Sequence, residues 1–429
     1  MEPPRVLWST AERELRAYLD ALGSFSRNAR LYLWVAFLGG FTVGVTRIIF
    51  NLYIQALGFD AAFLGQLLAV TTAAAGLTAL PAGLLTDRWG TKRSLIWGSV
   101  GVGCGAFGQM VLTTPLLLLV SGALAGAGGA IALAAQAPFL AHNSSRRERT
   151  YLFSTMAALF LVSTIIGNLL GGHVPQWLQD SRLALSEVWS YRATLLAAGA
   201  ASAFTLPVLF FLQETYQPPE IRRWRLTRRS TTALVKLITT DGLIRLGAGL
   251  SIPFLNVFFV QELGTSAAFF GTMSAVALGL RVVATLGAPV LATRLGPVLS
   301  IALTQLASVP LLLLIGFPPA LGFAAAAYVM RNSLMNMAFP VRDSFAMTIV
   351  DQSSRATVTA ALLVTNNLMA ALSTYIGGQL ISAFGYRPGF LGTALLYVLA
   401  ASAFALLFRG QAGQPAPEDE ERSASQPSR

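Results

Sequence analysis

Charge is what this sequence has least of. Asp, Glu, Lys and Arg make up only 11% of its 429 residues, against roughly 25% in an ordinary soluble domain. The scarcity is uneven. Ala61–Thr86, Leu95–Ser145, Thr150–Gln179, Ala193–Gln213, Leu295–Met330, Ala356–Tyr386 and Pro388–Phe408 contain none of the four. A helix that crosses a bilayer needs about 20 predominantly apolar residues, so each stretch holds one span or two. A soluble multidomain protein would show amphipathic periods instead. Cysteine is nearly absent: Cys104 stands alone in an apolar run, which excludes a disulfide framework and a Cys-based zinc site. The two histidines, His142 and His173, fall at the ends of spans. With no metal-ligand spacing and no nucleophile–base pair in the spans, an enzyme is not expected, nor a metal or cofactor. The first thirty residues, rich in Arg and Glu, lack the apolar core of a cleavable signal peptide.

What is present is a run of apolar helices. The breaks predict spans over 31–57, 63–86, 94–113, 116–141, 150–172 and 191–213, then 233–261, 267–291, 298–315, 320–348, 356–381 and 388–408. Thr113-Thr114-Pro115 and Gly316-Phe317-Pro318-Pro319 split the two longest runs. The expected architecture is all-α and polytopic, with twelve transmembrane helices. A cytoplasmic arm (1–30), a first bundle (31–213), a basic connector (214–232), a second bundle (233–408) and a disordered tail (409–429) complete the chain.

Basic residues set the orientation. Arg5, Arg13, Arg16, Arg27 and Arg30 of the arm lie on the same side as Arg88, Lys92 and Arg93, as Arg146, Arg147 and Arg149, and as Arg222, Arg223, Arg225, Arg228 and Arg229 of the connector. The opposite loops carry only Arg182, Arg192 and Arg387. By the positive-inside rule both termini are expected in the cytoplasm, with the protein in the cytoplasmic (inner) membrane. This asymmetry accounts for most of the net charge of +11, so no nucleic-acid partner is invoked. In the arm, Ser9-x-x-Glu12 reads as a capping box. Leu15, Tyr18, Leu19 and Leu22 share one helical face, as in a short helix lying on the membrane surface.

The chain also repeats. A shift of 206 residues lays QALGFDAAFLG (55–65) on QELGTSAAFFG (261–271), with seven of eleven identical. The same shift places Arg88-x-Gly90 on Arg294-x-Gly296, Arg149 on Arg355, and Gly171-Gly172 on Gly377-Gly378. One offset across four regions indicates two copies of a six-span unit. Corresponding loops fall on one face, so the copies are parallel repeats about an axis along the membrane normal.

Between the second and third spans stands Gly83-Leu84-Leu85-Thr86-Asp87-Arg88-Trp89-Gly90-Thr91-Lys92-Arg93. It resembles the G-x-x-x-D-R-x-G-x-[KR]-[KR] signature of the major facilitator superfamily, in the loop where that family carries it. The resemblance implies a 6+6 fold and secondary transport by alternating access. In local terms, Gly83 would let two helices approach closely and Gly90 would make the turn. Asp87 and Arg88, with Lys92 and Arg93, would latch the halves on the cytoplasmic side. The second copy is degraded, with Pro289 for the first Gly and Thr293 for the Asp, which implies an asymmetric latch. Gly167-Asn168-Leu169-Leu170-Gly171-Gly172 looks like the G-P-x-x-G-G motif of the drug-antiporter branch, but Asn168 replaces the proline. Tight packing by small residues is the preferred reading there, and for Gly122–Gly129.

Ionisable residues inside spans are expensive and are functional candidates by default. Arg47, Arg281 and Arg331 lie well inside their spans without a local counter-charge. Asn51, Asn332 and Asn336 stand at one-turn spacing as polar wall residues, with Asn366, Asn367 and Tyr375 weaker candidates. Asp241 and Arg245, four apart, are expected to pair. Together with Arg342 and Asp343 they are the coupling or gate candidates. A surplus of guanidinium groups in a wet cavity favours an anion, which they bind by two parallel hydrogen bonds. The expected function is therefore secondary transport of a small solute, an organic anion or amphipathic metabolite. The expected partners are that solute, the bilayer and protons as candidate coupling ion, with the protein acting as a monomer. A multidrug or lipophile exporter is the rival reading. A transport-inactive sensor or scaffold is the alternative from another class.

Overall fold

The computed structural model describes Tyr18 and residues 22–182, 184–213 and 226–411. Among these residues every regular element is helical. The membrane-crossing segments are α1 (Arg27–Ala56), α2 (Ala61–Trp89), α3 (Thr91–Val111), α4 (Pro115–His142), α5 (Arg146–Asp180) and α6 (Glu187–Phe210). The second half contributes α7 (Arg228–Glu262), α8 (Ala267–Leu295), α9 (Pro297–Gly316), α10 (Leu321–Met337 continued by Phe339–Ile349), α11 (Arg355–Phe384) and α12 (Tyr386–Leu407).

Eleven of these are long and apolar enough to cross a membrane. The exception is α10, expected as one helix over 320–348 and broken instead at Ala338. Pro340 has no N–H to offer the carbonyl of Asn336, and the Ala338 N–H turns back to that carbonyl. Pieces of 17 and 11 residues result, each below the span length of about 20. Helix α5 departs the other way and runs for 35 residues. It starts at a capping box, Ser145 with Glu148, that the apolar pattern does not reveal.

The apolar residues are partly inside out. Leu77, Leu116, Leu133, Phe204, Leu286 and Phe384 are among many large side chains left exposed, which suits a lipid-facing flank and not an aqueous one. Exposed Trp34, Trp89 and Trp97 lie toward the face where α1 begins, here called the terminal face. Trp177 and Trp189 lie toward the opposite, distal face. Tryptophan at both levels marks two membrane interfaces.

Glycine contacts reproduce the repeat in three dimensions. A methyl added to Gly65 of α2 would lie 2.7 Å from the Cα of Gly378 in α11. One added to Gly271 of α8 would lie 3.1 Å from the Cα of Gly172 in α5. The two contacts are copies of each other under the 206-residue shift. So are the caps, for Asp60 accepts from Phe63 N and Ser266 from Phe269 N. The turn glycines match as well: Gly90 (φ 86°) and Gly296 (φ 76°) both occupy the left-handed region that side chains avoid. Within the first half, Gly128 packs on the backbone of Gly98 and Val102, so the 122–129 stretch serves helix packing.

The core forks. One hydrophobic cluster near the distal face takes residues from both halves, among them Val45, Tyr53 and Leu64 with Phe254, Phe259 and Tyr397. Toward the terminal face the core divides. One cluster is built from the first half alone (Phe25, Phe139, Leu209) and another from the second alone (Leu237, Phe345, Phe404). The glycines follow the same divergence: Gly76 still abuts Asn367 of α11, while Gly83, Gly279 and Gly287 have no neighbour within 4 Å. The halves are joined distally and separated terminally.

Of the arm, Tyr18 bonds Thr155 of α5 at 2.8 Å and sets its ring edge-on to Tyr151. The Ser9–Glu12 capping box and most of the connector lie outside the described residues, as does the expected disordered tail beyond a 3-10 turn at Arg409–Gln411.

Candidate transport pathway

Where the halves diverge, α1 and α8 each present an arginine. Arg47 is exposed on α1 although its neighbours Ile48 and Ile49 are buried. Arg281 is half-buried on α8, near enough for the two positive charges to act on each other. Each half thus brings one guanidinium to the same region. Neither has a carboxylate partner among the described residues.

The other candidates sit deeper in the second half. Arg331 is buried, donates from Nη2 to Tyr397 Oη at 2.9 Å and lies 5.7 Å from that ring's centre. Its Nε has no hydrogen-bond partner among the described residues. Asn332 and Asn336 are half-buried and bond to each other, with Asn336 Nδ2 2.8 Å from Asn332 Oδ1. The pairing of Asp241 with Arg245 does not form. Asp241 pairs with Arg342 of α10, and the two side chains are 3% and 13% exposed. A partner on a facing helix meets the carboxylate in the interior of the bundle, where a one-turn neighbour on its own helix need not point. Arg245 is half-buried and Asp343 exposed. Asn367 spends its amide on Leu363 O of its own helix, and Tyr375 is exposed.

Asn51 is not placed where the halves diverge. It is 8% exposed and locked into the distal closure. Its Nδ2 donates to Pro253 O at 2.7 Å and to Asn256 Oδ1 at 3.0 Å, and Asn256 Nδ2 donates to Ile48 O at 3.0 Å. Two more polar contacts join the halves there. Ser382 Oγ donates to Asp60 Oδ2 at 2.9 Å, and His173 Nε2 lies 3.1 Å from Thr272 Oγ1. The Asp60 carboxyl is held below the usual carboxylate range, chiefly by the Phe63 N–H and further by Ser382. None of Asn256, Asp60, Ser382 or Thr272 was a sequence candidate. The α1–α2 and α7–α8 corners did hold the strongest stretch of the repeat, which was the available signal.

The signature loop is on the terminal face. Gly83 does not serve the close helix approach expected of it, because α2 has already diverged from α11 at that level. Gly90 makes the turn as its φ requires. Asp87 is half-buried, and Arg88 and Arg93 are exposed. Lys92 donates to Phe210 O at 2.9 Å, tying α3 to the end of α6 within the first half.

Twelve helical segments in two related sets, with one core shared at the distal face and two separate cores at the terminal face, describe a two-bundle membrane protein. A family model described as Major Facilitator Superfamily matches residues 32–251 and again 237–429. The chain belongs to the major facilitator superfamily. It is a multi-pass membrane protein, and membership of this family points to transport rather than catalysis. YaaU of Escherichia coli (strain K12), whose name assigns it metabolite transport provisionally, is 26% identical over 216 residues, 49% of this chain and 44% of that protein. The chain therefore matches less than half the length of this curated relative. Among solved structures, a mutant of the nucleoside transporter NupG aligns with a TM-score of 0.74 at 14% identity, covering 89% of this chain and all of that one. A bacterial homologue of the human lysosomal transporter Spinster, inward-facing and occupied, aligns at 0.71 with 16% identity over 91% of this chain and all of that one. The D-xylose-proton symporter aligns at 0.68 with 15% identity, covering 88% of this chain and 97% of that one. Identities this low establish the fold of this superfamily member and leave its solute open to argument.

Proposed function

We propose that this protein carries a small organic anion, or an amphipathic metabolite bearing a negative charge, across the cytoplasmic membrane by alternating access. Both termini then lie in the cytoplasm, and the open terminal mouth is the inward-facing state. The bundles 31–213 and 233–408 rock against each other as units, with the protein acting as a monomer. The observation that carries the reading is that Arg47 of the first half and Arg281 of the second stand near enough for their charges to act on each other, with no carboxylate paired to either among the described residues. An unpaired Arg near a bilayer centre costs roughly 2.5–3.5 kcal/mol on the lenient insertion scale. Two such charges in one cleft also repel. A carboxylate or phosphate held between two guanidinium forks offsets both terms. Because the forks come from different halves, closing around the anion improves both contacts, which couples binding to the change of state.

Small polar solutes are consistent with the nucleosides and D-xylose named for similar folds. If protons drive transport, Asp241 is the carboxylate buried within a span among the described residues that could take one, and protonation would release Arg342. The test is a thermal-shift screen of purified protein against anionic, neutral and cationic solutes, repeated on Arg47→Gln and Arg281→Gln. Anions should stabilise the wild type and lose their effect on both variants. Stabilisation by cationic solutes that survives both substitutions would defeat the reading.

A further inference from the structure

The distal hydrogen bonds contain a symmetry that the 206-residue repeat conceals. Under that shift Asn51 falls on Val257. A shift of 205 places Asn51 on Asn256 and Ile48 on Pro253. In this register the bonds are reciprocal. Asn51 Nδ2 reaches the carbonyl of Pro253 and Asn256 Nδ2 reaches that of Ile48, each the carbonyl three residues before its counterpart amide. The third bond joins the two amides, Asn51 Nδ2 to Asn256 Oδ1. The pair therefore straddles the pseudo-two-fold axis.

The residue that raises the offset from 205 to 206 has an address. Helix α7 carries a π turn at Phe258–Glu262, which begins two residues after Asn256. One π turn accommodates one inserted residue in a helix. The insertion lets the α7–α8 corner match the α1–α2 corner while Asn256 stays in register with Asn51. Upstream, Pro253 lies in a 3-10 turn over Ile252–Phe254, where the α-helical bonding is interrupted.

We infer that Asn51 and Asn256 form the distal gate of the transport cycle, a two-fold hydrogen-bonded clasp that breaks when the pathway opens on the distal face. Both side chains are buried when the clasp is closed, at 8% and 3% exposure. Their amides are then satisfied only by each other's helix. Opening admits water, which replaces those partners, so the clasp can break and re-form without stranding a buried polar group. Ionic partners in the same place would hold more tightly and release less readily. None of its three bonds involves Arg47, Arg281 or a solute, so its opening can be followed whatever charge the solute carries, while its role as a gate rests on the alternating access proposed above.

A distance measurement tests this. In a Cys104→Ala background, spin labels at Thr113→Cys and Ala320→Cys sit on exposed distal loops, one in each half. In lipid nanodiscs the short distance of the distal-closed state should dominate. A neutral hydrogen bond shifts an equilibrium by roughly two- to tenfold. Asn51→Leu, which removes two bonds, and Asn256→Leu, which also removes two, should each move the open-to-closed ratio about tenfold toward the longer distance. The double variant should fall short of the product of the singles, because the amide–amide bond is counted in both. Asn51→Ser, a milder loss, should shift the ratio in the same direction and serves if the leucine variants fail to fold. A folded variant with unchanged distances would overturn the inference, even if its melting temperature fell, since that is what a merely structural bond would give. A double variant equal to the full product would overturn the reciprocal arrangement.

Discussion

Replacing Asp241 by Asn should destabilise the second bundle by about 3 kcal/mol, toward the lower end of the roughly 3–5 kcal/mol seen when one partner of a buried ion pair is removed. The substitution keeps the side-chain volume and removes only the charge. Arg342 is then left 13% exposed inside the bundle without its counter-ion. The adjacent Asp343 also acts on Arg342, but its exposure to solvent weakens that compensation, which is why the lower end of the range applies. A loss of 3 kcal/mol is roughly a hundredfold in the folding equilibrium and a sizeable part of the 5–15 kcal/mol typical of a domain. The assay is a double-mutant cycle in detergent, with unfolding followed by circular dichroism, on Asp241→Asn, Arg342→Gln and the double variant. The double variant should be more stable than either single one, because neither charge is then stranded. A coupling near zero, or Asp241→Asn as stable as the wild type, would refute the claim that these two residues meet in the bundle interior.

Three further outcomes follow from the same contacts. Gly65→Ala and its repeat mate Gly271→Ala add a methyl at 2.7 Å and 2.5 Å from the nearest atom of the other half, so each should disfavour distal closure and lengthen the distance between spin labels at Thr113→Cys and Ala320→Cys. At Gly83, where no atom lies within 4 Å, alanine should leave that distance unchanged. The distal contact should also depend on acid. Asp60 has a depressed pKa when folded, so its contribution is complete above about pH 4 and is lost as pH falls further through the folded value. Distances across the distal mouth should hold from pH 8 down to about pH 4 and lengthen only below that, and an Asp60→Asn protein should lack the acid transition. Finally, Arg47→Lys and Arg281→Lys should keep part of the anion affinity that the Gln variants lose, because an ammonium supplies charge without the planar fork; titration calorimetry would measure it.

The helices and the repeat were legible because each depends on local composition. Apolar runs report burial in lipid directly, and the 55–65 and 261–271 corners retain identical residues where the two halves pack in copies. What the pattern did not reveal depends on facing helices. The Asp241–Arg342 pair was hidden by a nearer partner at one-turn spacing, Arg245. The Asn51–Asn256 pair was hidden by a single inserted residue, which put the two amides one position out of step with the rest of the repeat. The break in α10 was foreshadowed by Pro340, but the surrounding residues are apolar enough to read as one continuous span. Arg331 was expected to lack a local counter-charge, and it bonds to Tyr397. That choice of partner follows from side-chain direction, which spacing alone does not specify.

Uptake by the purified protein in proteoliposomes, compared among wild type, Arg47→Gln and Arg281→Gln across a panel of labelled anionic, neutral and cationic solutes, tests the central claim most directly. The account predicts saturable transport of an anionic solute that drops at least tenfold in both variants while their melting temperatures stay close to that of the wild type. Saturable transport of a cationic solute at the same rate by all three proteins would contradict it.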